Sequence, residues 1–218
     1  MKRIFISCAL FLCTISLSAQ TKMTAKEAAL KIADRILDST TYEFKNTKTG
    51  EVYKSVKKLP LSMDVKVACK YNNWHYTNGV TNIALMELAD KVGDKKYDKY
   101  VLKNMNFVFN EGNLDFFRRQ YDQAFKDDGW NAVRKLSWHM IFRGKRLDDN
   151  GPMGASLIEL QMRHPNEAFL SYVNETADHL NYAEPRLVDG TIARLWPHVN
   201  TIWADDAFMA ISFLARMG

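Results

Sequence analysis

The last helix predicted from the sequence, residues 206–216, constrains the fold most because it is apolar on almost every side. Its apolar residues are Ala207, Phe208, Met209, Ala210, Ile211, Phe213 and Leu214. A helix without a polar face is normally buried on all flanks. The sequence therefore predicts that other helices surround this one. Either earlier parts of the chain supply them, or they belong to partner sequence that follows residue 218.

Hydrophobic periodicity predicts six further helices. In chain order they cover residues 24–38, 77–91, 94–109, 131–142, 153–163 and 166–180. The first begins with a capping box formed by Thr24 and Glu27. Between residues 41 and 58 the aromatic and β-branched residues alternate instead, which indicates a loop or a small hairpin. Helices joined by loops of varied length predict an all-α fold, either a bundle, a solenoid or a toroid of helical hairpins.

Composition limits the classes of function. The chain has 218 residues, 47% apolar and 25% charged, which is typical of a globular protein and fits one domain. Its 30 basic residues exceed its 25 acidic residues by five, and by three once Lys2 and Arg3 are set aside. No concentrated basic patch accompanies this excess, so the sequence predicts no nucleic-acid partner. The charge is compatible with an acidic small substrate.

The first nineteen residues have the pattern of a secretory signal peptide. Lys2 and Arg3 precede an apolar stretch, and Ser18-Ala19 provides a small-residue cleavage site. We therefore expect an exported protein, periplasmic or secreted, whose mature domain covers residues 20–218 and has no membrane anchor after cleavage. The mature chain keeps Cys69 as its single cysteine, which excludes an internal disulfide and a multi-cysteine zinc site.

Three stretches do not have the pattern of a helix face: residues 74–80, 146–155 and 189–206. Each places tryptophan, aspartate, arginine or histidine directly before a predicted helix. Aromatic planes stack on sugar rings, and carboxylates accept hydrogen bonds from hydroxyls or move protons. Two structural alternatives stay open at this point. The aspartates can be helix N-caps, and Trp74 and Trp203 can be core residues.

The sequence contains no motif for a metal site, a phosphate-binding loop or a serine nucleophile. The five histidines show no HExxH or paired metal-ligand spacing, and there is no glycine-rich phosphate loop and no GxSxG elbow. The sequence accordingly predicts neither a metal site nor a cofactor. From the residues alone, a polysaccharide-active enzyme is one option among several for an exported helical protein.

Four motifs carry a resemblance to a known family. They are WHYTNGV at 74–80, DDNGPMGA at 148–155, DGT at 189–191 and WADDAFM at 203–209. In this order they resemble glycoside hydrolase family 105, the unsaturated rhamnogalacturonyl hydrolases, which are related to the unsaturated glucuronyl hydrolases of family 88. The resemblance extends from about residue 25 to the last residue.

The resemblance implies an (α/α)6 barrel, a toroid of six helical hairpins. Such a barrel has twelve helices, whereas this chain supplies about seven or eight. We therefore expect the chain to be the N-terminal portion of the toroid, with a C-terminal remainder to complete it. Whether such a portion is active alone is a separate question from the activity of the family.

The resemblance also implies a reaction on acidic unsaturated oligosaccharides from pectin or rhamnogalacturonan. Polysaccharide lyases leave a C4=C5 double bond in the terminal uronic acid. Family enzymes protonate C4, water adds at C5, and the resulting hemiketal opens to release the sugar. The motif match gives Asp205 the acid/base role and makes Asp149 the second active-site aspartate. Asp148 and Asp206 stay as the reserve residues for these two roles, since a shift of one residue in the motif alignment exchanges the members of each Asp-Asp pair.

By the same resemblance, Trp74 and Trp203 are sugar platforms, and Tyr76 is a further substrate contact. Arg194 and His198 are candidates for binding the substrate carboxylate. We expect Asp149 and Asp205 to lie at one end of the toroid with their side chains facing one cleft. Two other functions remain open: a non-catalytic carbohydrate-binding protein, and a different carbohydrate enzyme on the same toroid.

Overall fold

The computed structural model describes residues 23–143 and 147–218. The predicted signal peptide and the first residue of the stretch 146–155 lie outside the described residues. Within those ranges the chain is mostly helical, which confirms the predicted all-α class. The helices are α1 (Ala25–Ser39), α2 (Tyr76–Val92), α3 (Lys96–Val108), α4 (Glu111–Val133), α5 (Met140–Arg143), α6 (Leu147–Arg163), α7 (Glu167–Asp178) and α8 (Ala204–Met217).

A small antiparallel sheet follows α1. Its strands are β1 (Phe44–Asn46), β2 (Val52–Tyr53) and β3 (Val65–Val67), in the order β2-β1-β3. β1 and β2 form the hairpin that was one of the two predicted structures for residues 41–58, whereas β3 was not predicted. Phe44 is buried opposite Tyr53 on one side and Val67 on the other. The sheet thus closes one side of the hydrophobic core.

Helices α2 and α6 run parallel and touch through their backbones. A Cβ atom on Gly79 would lie 2.3 Å from the carbonyl carbon of Pro152, so only a glycine fits there. Eleven residues further along each helix, Arg163 donates a hydrogen bond of 2.7 Å to Asp90. Because the two contacts advance in the same direction along both helices, α2 and α6 begin at the same end of the molecule.

Helices α6 and α8 pack in the same way. A Cβ atom on Gly151 would lie 2.2 Å from the carbonyl oxygen of Met209. One turn later, a Cβ atom on Gly154 would lie 2.8 Å from the ring of Phe213. The N-terminal ends of α2, α6 and α8 therefore all lie at one end of the molecule.

Helices α3 and α7 run in the opposite direction to α2, α6 and α8. The backbone N–H of Asn166, which caps α7, donates to Gln161 near the end of α6, while Thr176 at the other end of α7 lies beside Gly154. The ring of Phe109, which caps α3, lies 6.1 Å from the ring of Trp74, which precedes α2. Thus α2 with α3, and α6 with α7, form helical hairpins. Within the described residues, no helix is both long and apolar enough to span a membrane.

Helix α4 shows where the periodicity analysis was wrong. It covers residues for which no helix was predicted, whereas the helix predicted over 131–142 is limited to the end of α4 and the short α5. The buried stripe of α4 includes Phe116, Gln120 and Ala124, so one of its core positions is polar. Gly129, at φ 51°, interrupts helical geometry close to the end of α4. Both features weaken the apolar pattern by which a helix is recognised.

Helix α6 begins at Leu147, six residues before the predicted start. Asp148 and Asp149 are therefore in its first turn, not in a loop before it. The pair Gly151-Pro152 suggested an interruption, because glycine and proline are unfavourable inside helices. In the structure both residues are helical and buried, and each meets a neighbouring helix at its backbone.

Helix α8 is covered on one side only within the described residues. Asp206, Met209, Ala210 and Phe213 are buried against α6 and its surroundings, whereas Phe208, Ile211 and Leu214 are exposed. Phe208 and Ile211 line an apolar groove together with Val80 and Ile83 of α2. Of the two alternatives left open for the neighbours of α8, the one in which earlier helices surround it is therefore contradicted for the described residues.

We expect Gly151→Ala to destabilise the protein by about 1–3 kcal/mol, because the added methyl group meets a backbone carbonyl and forces α6 and α8 apart. Denaturant unfolding followed by circular dichroism measures this. Gly112→Ala in α4 is the matched control, since the nearest atoms to its Cβ position are 3.5 Å away. If both variants unfold like the wild type, the close approach of α6 and α8 is wrong.

We expect the wild-type chain to bind an apolar fluorescent dye and to associate, because the side chains of the apolar groove are exposed together. Ile211→Glu should reduce both effects without changing the helical signal. Met162→Glu, which replaces a comparably exposed residue outside the groove, serves as the control. A monomeric wild-type protein that binds no dye would contradict this.

Candidate functional site

Three of the aspartates identified in the sequence meet where α6 and α8 begin. Asp148 is in the first turn of α6, and Asp205 and Asp206 are in the first turn of α8. One carboxylate oxygen from each lies within 4.8 Å of the others. Trp203 holds the N-cap position of α8, so neither Asp205 nor Asp206 is an N-cap. Acidic residues in a first turn are favoured by the helix dipole, but three together repel one another.

Arg194 provides the positive charge among these carboxylates. Its Nε donates a hydrogen bond of 2.6 Å to Oδ2 of Asp206. Its Nη2 lies 3.3 Å from Asp205 and 3.7 Å from Asp148. The hydrogen bond to Asp206 raises the pKa of Arg194 above its ordinary value. The ring of Trp203 stacks on the guanidinium, 4.2 Å from its central carbon to the ring centre.

A closed loop holds Arg194 in this position. The backbone N–H of Arg194 donates to the carbonyl of Thr201, and the N–H of Asn200 donates to the carbonyl of Arg194, each at 2.8 Å. Asn200 adopts the left-handed conformation, with φ of 60°, that lets the chain reverse. The Thr201 hydroxyl donates to the carbonyl of His198 and braces the loop from within. Arg194 is thus fixed by backbone as well as by side-chain contacts.

A small cleft of about 120 Å³ opens beside this cluster. That volume is below the range of complete small-molecule sites, roughly 300–1,000 Å³, so only part of an oligosaccharide fits within it. Its lining residues are Leu147, Asp148, Glu184, Pro185, Ala193, Arg194, Leu195, Trp196 and Asp206. The lining therefore combines charged side chains with apolar and aromatic ones. A sugar ring, which has hydroxyls at its edge and C–H groups on its faces, matches both kinds of side chain.

Asp149 points away from this cleft. Its side chain is fully buried, and both of its carboxylate oxygens accept hydrogen bonds from Arg143. Its backbone carbonyl accepts a hydrogen bond of 2.8 Å from the indole of Trp74. The expectation that Asp149 and Asp205 face one cleft is therefore corrected. The two residues lie at the same end of the molecule, but neither lines the cleft. The reserve residues Asp148 and Asp206 line it, and Asp205 lies beside them in the cluster.

Trp74 is also misplaced for a sugar platform, because it has no solvent-accessible surface. Its ring packs against those of Tyr172 and Phe109, at 4.9 and 6.1 Å between centres. The alternative of a core tryptophan is confirmed for this residue. Trp203 differs, since it is 41% exposed and stacks on Arg194.

The two remaining candidates lie at the same end of the molecule, outside the lining of the cleft. Tyr76 is half-buried at the first position of α2, with its ring 4.4 Å from that of His75. His198 is exposed on the loop that Arg194 begins. The structure brings neither side chain to the aspartate cluster.

Two cleft residues were not identified from the sequence, Glu184 and Trp196. Glu184 follows a π-helical turn, His179–Ala183, a type of turn that is frequent at functional sites. Its Oε2 lies 2.9 Å from Nε2 of His179. Burial raises the pKa of the Glu184 carboxyl, and the nearby charge of Asp206 adds to that rise. Neither residue belongs to a recognisable motif, so only the fold reveals them.

Comparison with known proteins gives a family match. The family model of Glycosyl Hydrolase Family 88 matches residues 51–218, a range that contains the aspartate cluster, Arg194 and the whole cleft. No curated protein matches the chain. The two helical hairpins and the parallel helix α8 agree with the all-α toroid of that family.

We expect Glu184→Gln to become more stable relative to the wild type as the pH rises from about 4 to about 8. With its pKa raised in the folded state, Glu184 keeps a proton that the unfolded chain has already lost, so folding stability decreases as the pH rises through this window. Thermal unfolding at both pH values measures the difference, with exposed Glu87→Gln as control. An equal difference at both pH values would contradict the raised pKa.

Proposed function

Since this chain belongs to glycosyl hydrolase family 88, which matches residues 51–218, we propose that it removes 4,5-unsaturated uronic acids from oligosaccharides produced by polysaccharide lyases. Membership of the family makes it a glycoside hydrolase. The unsaturated uronide is part of the proposal, as is its origin in rhamnogalacturonan or another pectin. The sequence motifs and the basic, apolar N-terminal segment support a rhamnogalacturonan substrate and an exported enzyme.

The reaction adds water across an enol ether. A proton adds to C4, and the electron pair of the ring oxygen stabilises the positive charge that develops at C5. Water then bonds to C5 and loses a proton to a carboxylate, which regenerates the acid. The hemiketal formed at C5 opens, and the rest of the oligosaccharide leaves from C1. The chain must therefore supply a group that both gives and takes a proton, and a cation for the substrate carboxylate.

Asp205 is the member of the cluster that fits the acid/base role. Its side chain is 46% exposed, whereas that of Asp206 is 6% exposed and is engaged by Arg194. A proton donor must reach the substrate directly or through one water molecule, which a buried and committed carboxylate does not do. Asp148, which lines the cleft, is placed to accept hydrogen bonds from sugar hydroxyls. We therefore propose Asp148, instead of Asp149, for the role that the resemblance implied.

The position of Arg194, in the cleft and beside Asp205, is the observation that carries the proposal. The substrate is an anion, and among the nine lining residues Arg194 is the one cation. Its Nη2 also lies 3.3 Å from Asp205, so a substrate carboxylate on Arg194 would bring C4 and C5 near the proton donor. Asp206 and Trp203 hold the guanidinium from two sides, through the 2.6 Å hydrogen bond and the ring stack. This arrangement supports a coupling of substrate binding to proton transfer.

The experiment is a spectrophotometric assay on lyase-treated pectin and glycosaminoglycan fragments. Hydration at C5 removes the conjugation between the alkene and the carboxylate, so activity is a fall in near-ultraviolet absorbance. We expect Asp205→Asn to lower the rate by about 10²–10⁴-fold, since an amide cannot deliver the proton. Binding of the oligosaccharide should largely survive, because the amide keeps the shape of the carboxyl group.

Asp115→Asn is the matched control, because Asp115 is an exposed aspartate on α4, away from the cleft. It should leave the rate unchanged. Near-normal rates for Asp205→Asn would transfer the acid role to Asp148. A wild-type protein that leaves the absorbance unchanged on all fragments, yet binds them, would favour a carbohydrate-binding protein instead.

A further inference from the structure

Glu184 is a buried acidic residue of the cleft lining that the proposed reaction does not use. Its side chain is 8% exposed, and its Oε2 lies 2.9 Å from Nε2 of His179, whose side chain is 19% exposed. The hydrogen bond between these two atoms needs one proton, which either the imidazole or the carboxyl group can supply. Because imidazole is the side chain that exchanges protons near neutral pH, the pair can hold or lose a proton at the cleft.

The π-helical turn that precedes Glu184 keeps the two side chains together. The backbone N–H of Glu184 donates to the carbonyl of His179 at 2.9 Å and closes the turn. Arg186 then donates to the carbonyl of Leu180 through one guanidinium nitrogen and to that of Gly190 through another. The pair is thus held at the cleft by backbone contacts as well as by its own hydrogen bond.

The charge of the cleft makes such a proton important for an anionic substrate. The lining contains three acidic side chains, Asp148, Glu184 and Asp206, against one arginine, Arg194, which leaves an excess of two negative charges when all are ionised. Asp205 lies beside them in the cluster. A uronate carboxylate at Arg194 increases this excess. Since like charges repel strongly in a partly desolvated site, binding of the anion favours uptake of a proton.

Among the acids of the cleft, Glu184 is the one placed to gain that proton. Asp206 accepts the 2.6 Å hydrogen bond from Arg194, and Asp148 lies 3.7 Å from the same guanidinium. Asp205 already gives and takes the proton of the proposed reaction. Glu184 differs from all three, because within residues 23–143 and 147–218 its charged partner is a histidine and not an arginine or a lysine.

The charged groups that act on Glu184 come from several parts of the fold. His179 belongs to the π-helical turn, Asp206 to α8 and Arg186 to the segment after the turn, while Asp148 of α6 lines the same cleft. Burial raises the pKa of the Glu184 carboxyl most strongly; His179 lowers it, the charge of Asp206 raises it and Arg186 lowers it. The net effect is a rise. An anion bound beside Glu184 would act in the same direction as Asp206.

We propose that the Glu184–His179 pair takes up a proton when an anionic sugar binds in the cleft, and that this uptake sets the affinity for the uronate. The inference rests on the proposed function, because it takes the carboxylate of the unsaturated uronate to bind at Arg194. It assigns the pair no step at C4 or C5. Glu184 and His179 act on binding, through the charge of the cleft.

The test is calorimetric titration with the unsaturated galacturonyl-rhamnose disaccharide, in the Asp205→Asn parent to suppress turnover. Titrations in two buffers of different ionisation enthalpy give the number of protons taken up per bound sugar. As the pH rises, the pair loses its proton and the cleft becomes more negative. We therefore expect Kd to rise about 5- to 30-fold between about pH 6 and about pH 9, the effect of one added charge close to an anion. Binding without proton uptake throughout this range would overturn the proposal.

Two variants assign the proton to the pair. Glu184→Gln removes the ionisable carboxyl group, so Kd should change much less with pH and should be lower than in the parent at high pH. His179→Gln removes a group that lowers the pKa of Glu184, so the rise in Kd should move to higher pH. A merely structural role would weaken binding equally at every pH. Parallel curves for Glu184→Gln and the parent would therefore refute the role of the pair.

Glu167→Gln is the matched control for the loss of a carboxylate. Glu167 is an exposed glutamate at the first position of α7, and α7 begins beside the end of α6 that is away from the cleft. This variant should leave both Kd and its dependence on pH at the values of the parent.

The hydration assay on the wild type separates this inference from the proposed function. If the wild type hydrates the disaccharide but binding takes up no proton, the inference alone fails. If the wild type hydrates nothing but the disaccharide binds with proton uptake that depends on Glu184, the linkage holds and the hydrolase proposal fails. If the disaccharide is neither hydrated nor bound, both fail.

Discussion

Two backbone contacts made by glycines bring the candidate site together. Gly79 meets Pro152, and Gly151 meets Met209, at distances that leave no space for a Cβ atom. Because these contacts fall within the first two turns of α2, α6 and α8, they fix the helix ends more tightly than contacts further along would. The cluster of Asp148, Asp205 and Asp206 depends on that closeness. The glycines in the two motifs are thus structural requirements of the charged end, and the chemistry belongs to their neighbours.

The close approach of the three carboxylates creates electrostatic repulsion, which a single arginine and two helix N-termini compensate. Three carboxylates within 4.8 Å would repel one another strongly without compensation. Arg194 lies within 3.7 Å of all three, and the positive ends of the α6 and α8 dipoles point toward them. Asp149 is compensated separately, by Arg143 in the interior. The two aspartates of one motif therefore belong to different charge networks, since neighbouring residues on a helix face directions about 100° apart.

Much of the fold could be predicted from the sequence, because helices with regular apolar faces are recognisable from the spacing of their apolar residues. α4 did not, since Gln120 occupies a core position and Gly129 interrupts the helix. The start of α6 was placed too late, because only the fold shows that Gly151 and Pro152 are buried between helices. At the site, the sequence identified Arg194 and the three clustered aspartates. It could not decide between Asp148 and Asp149, nor find Glu184 and Trp196, because burial and loop closure are properties of the folded chain.

The parallel arrangement of α2, α6 and α8 also has an evolutionary consequence. Each of these parallel helices contributes its N-terminal end to one end of the molecule, here called the rim, while the hydrophobic contacts between helices lie further along them. Residues in the segment between α7 and α8, such as Trp196, can be exchanged or inserted without altering the glycine contacts beneath them. New substrates can thus be acquired by changing the rim alone, and the cost in folding stability stays small. A single architecture of this type is well suited to diversify across many different glycans.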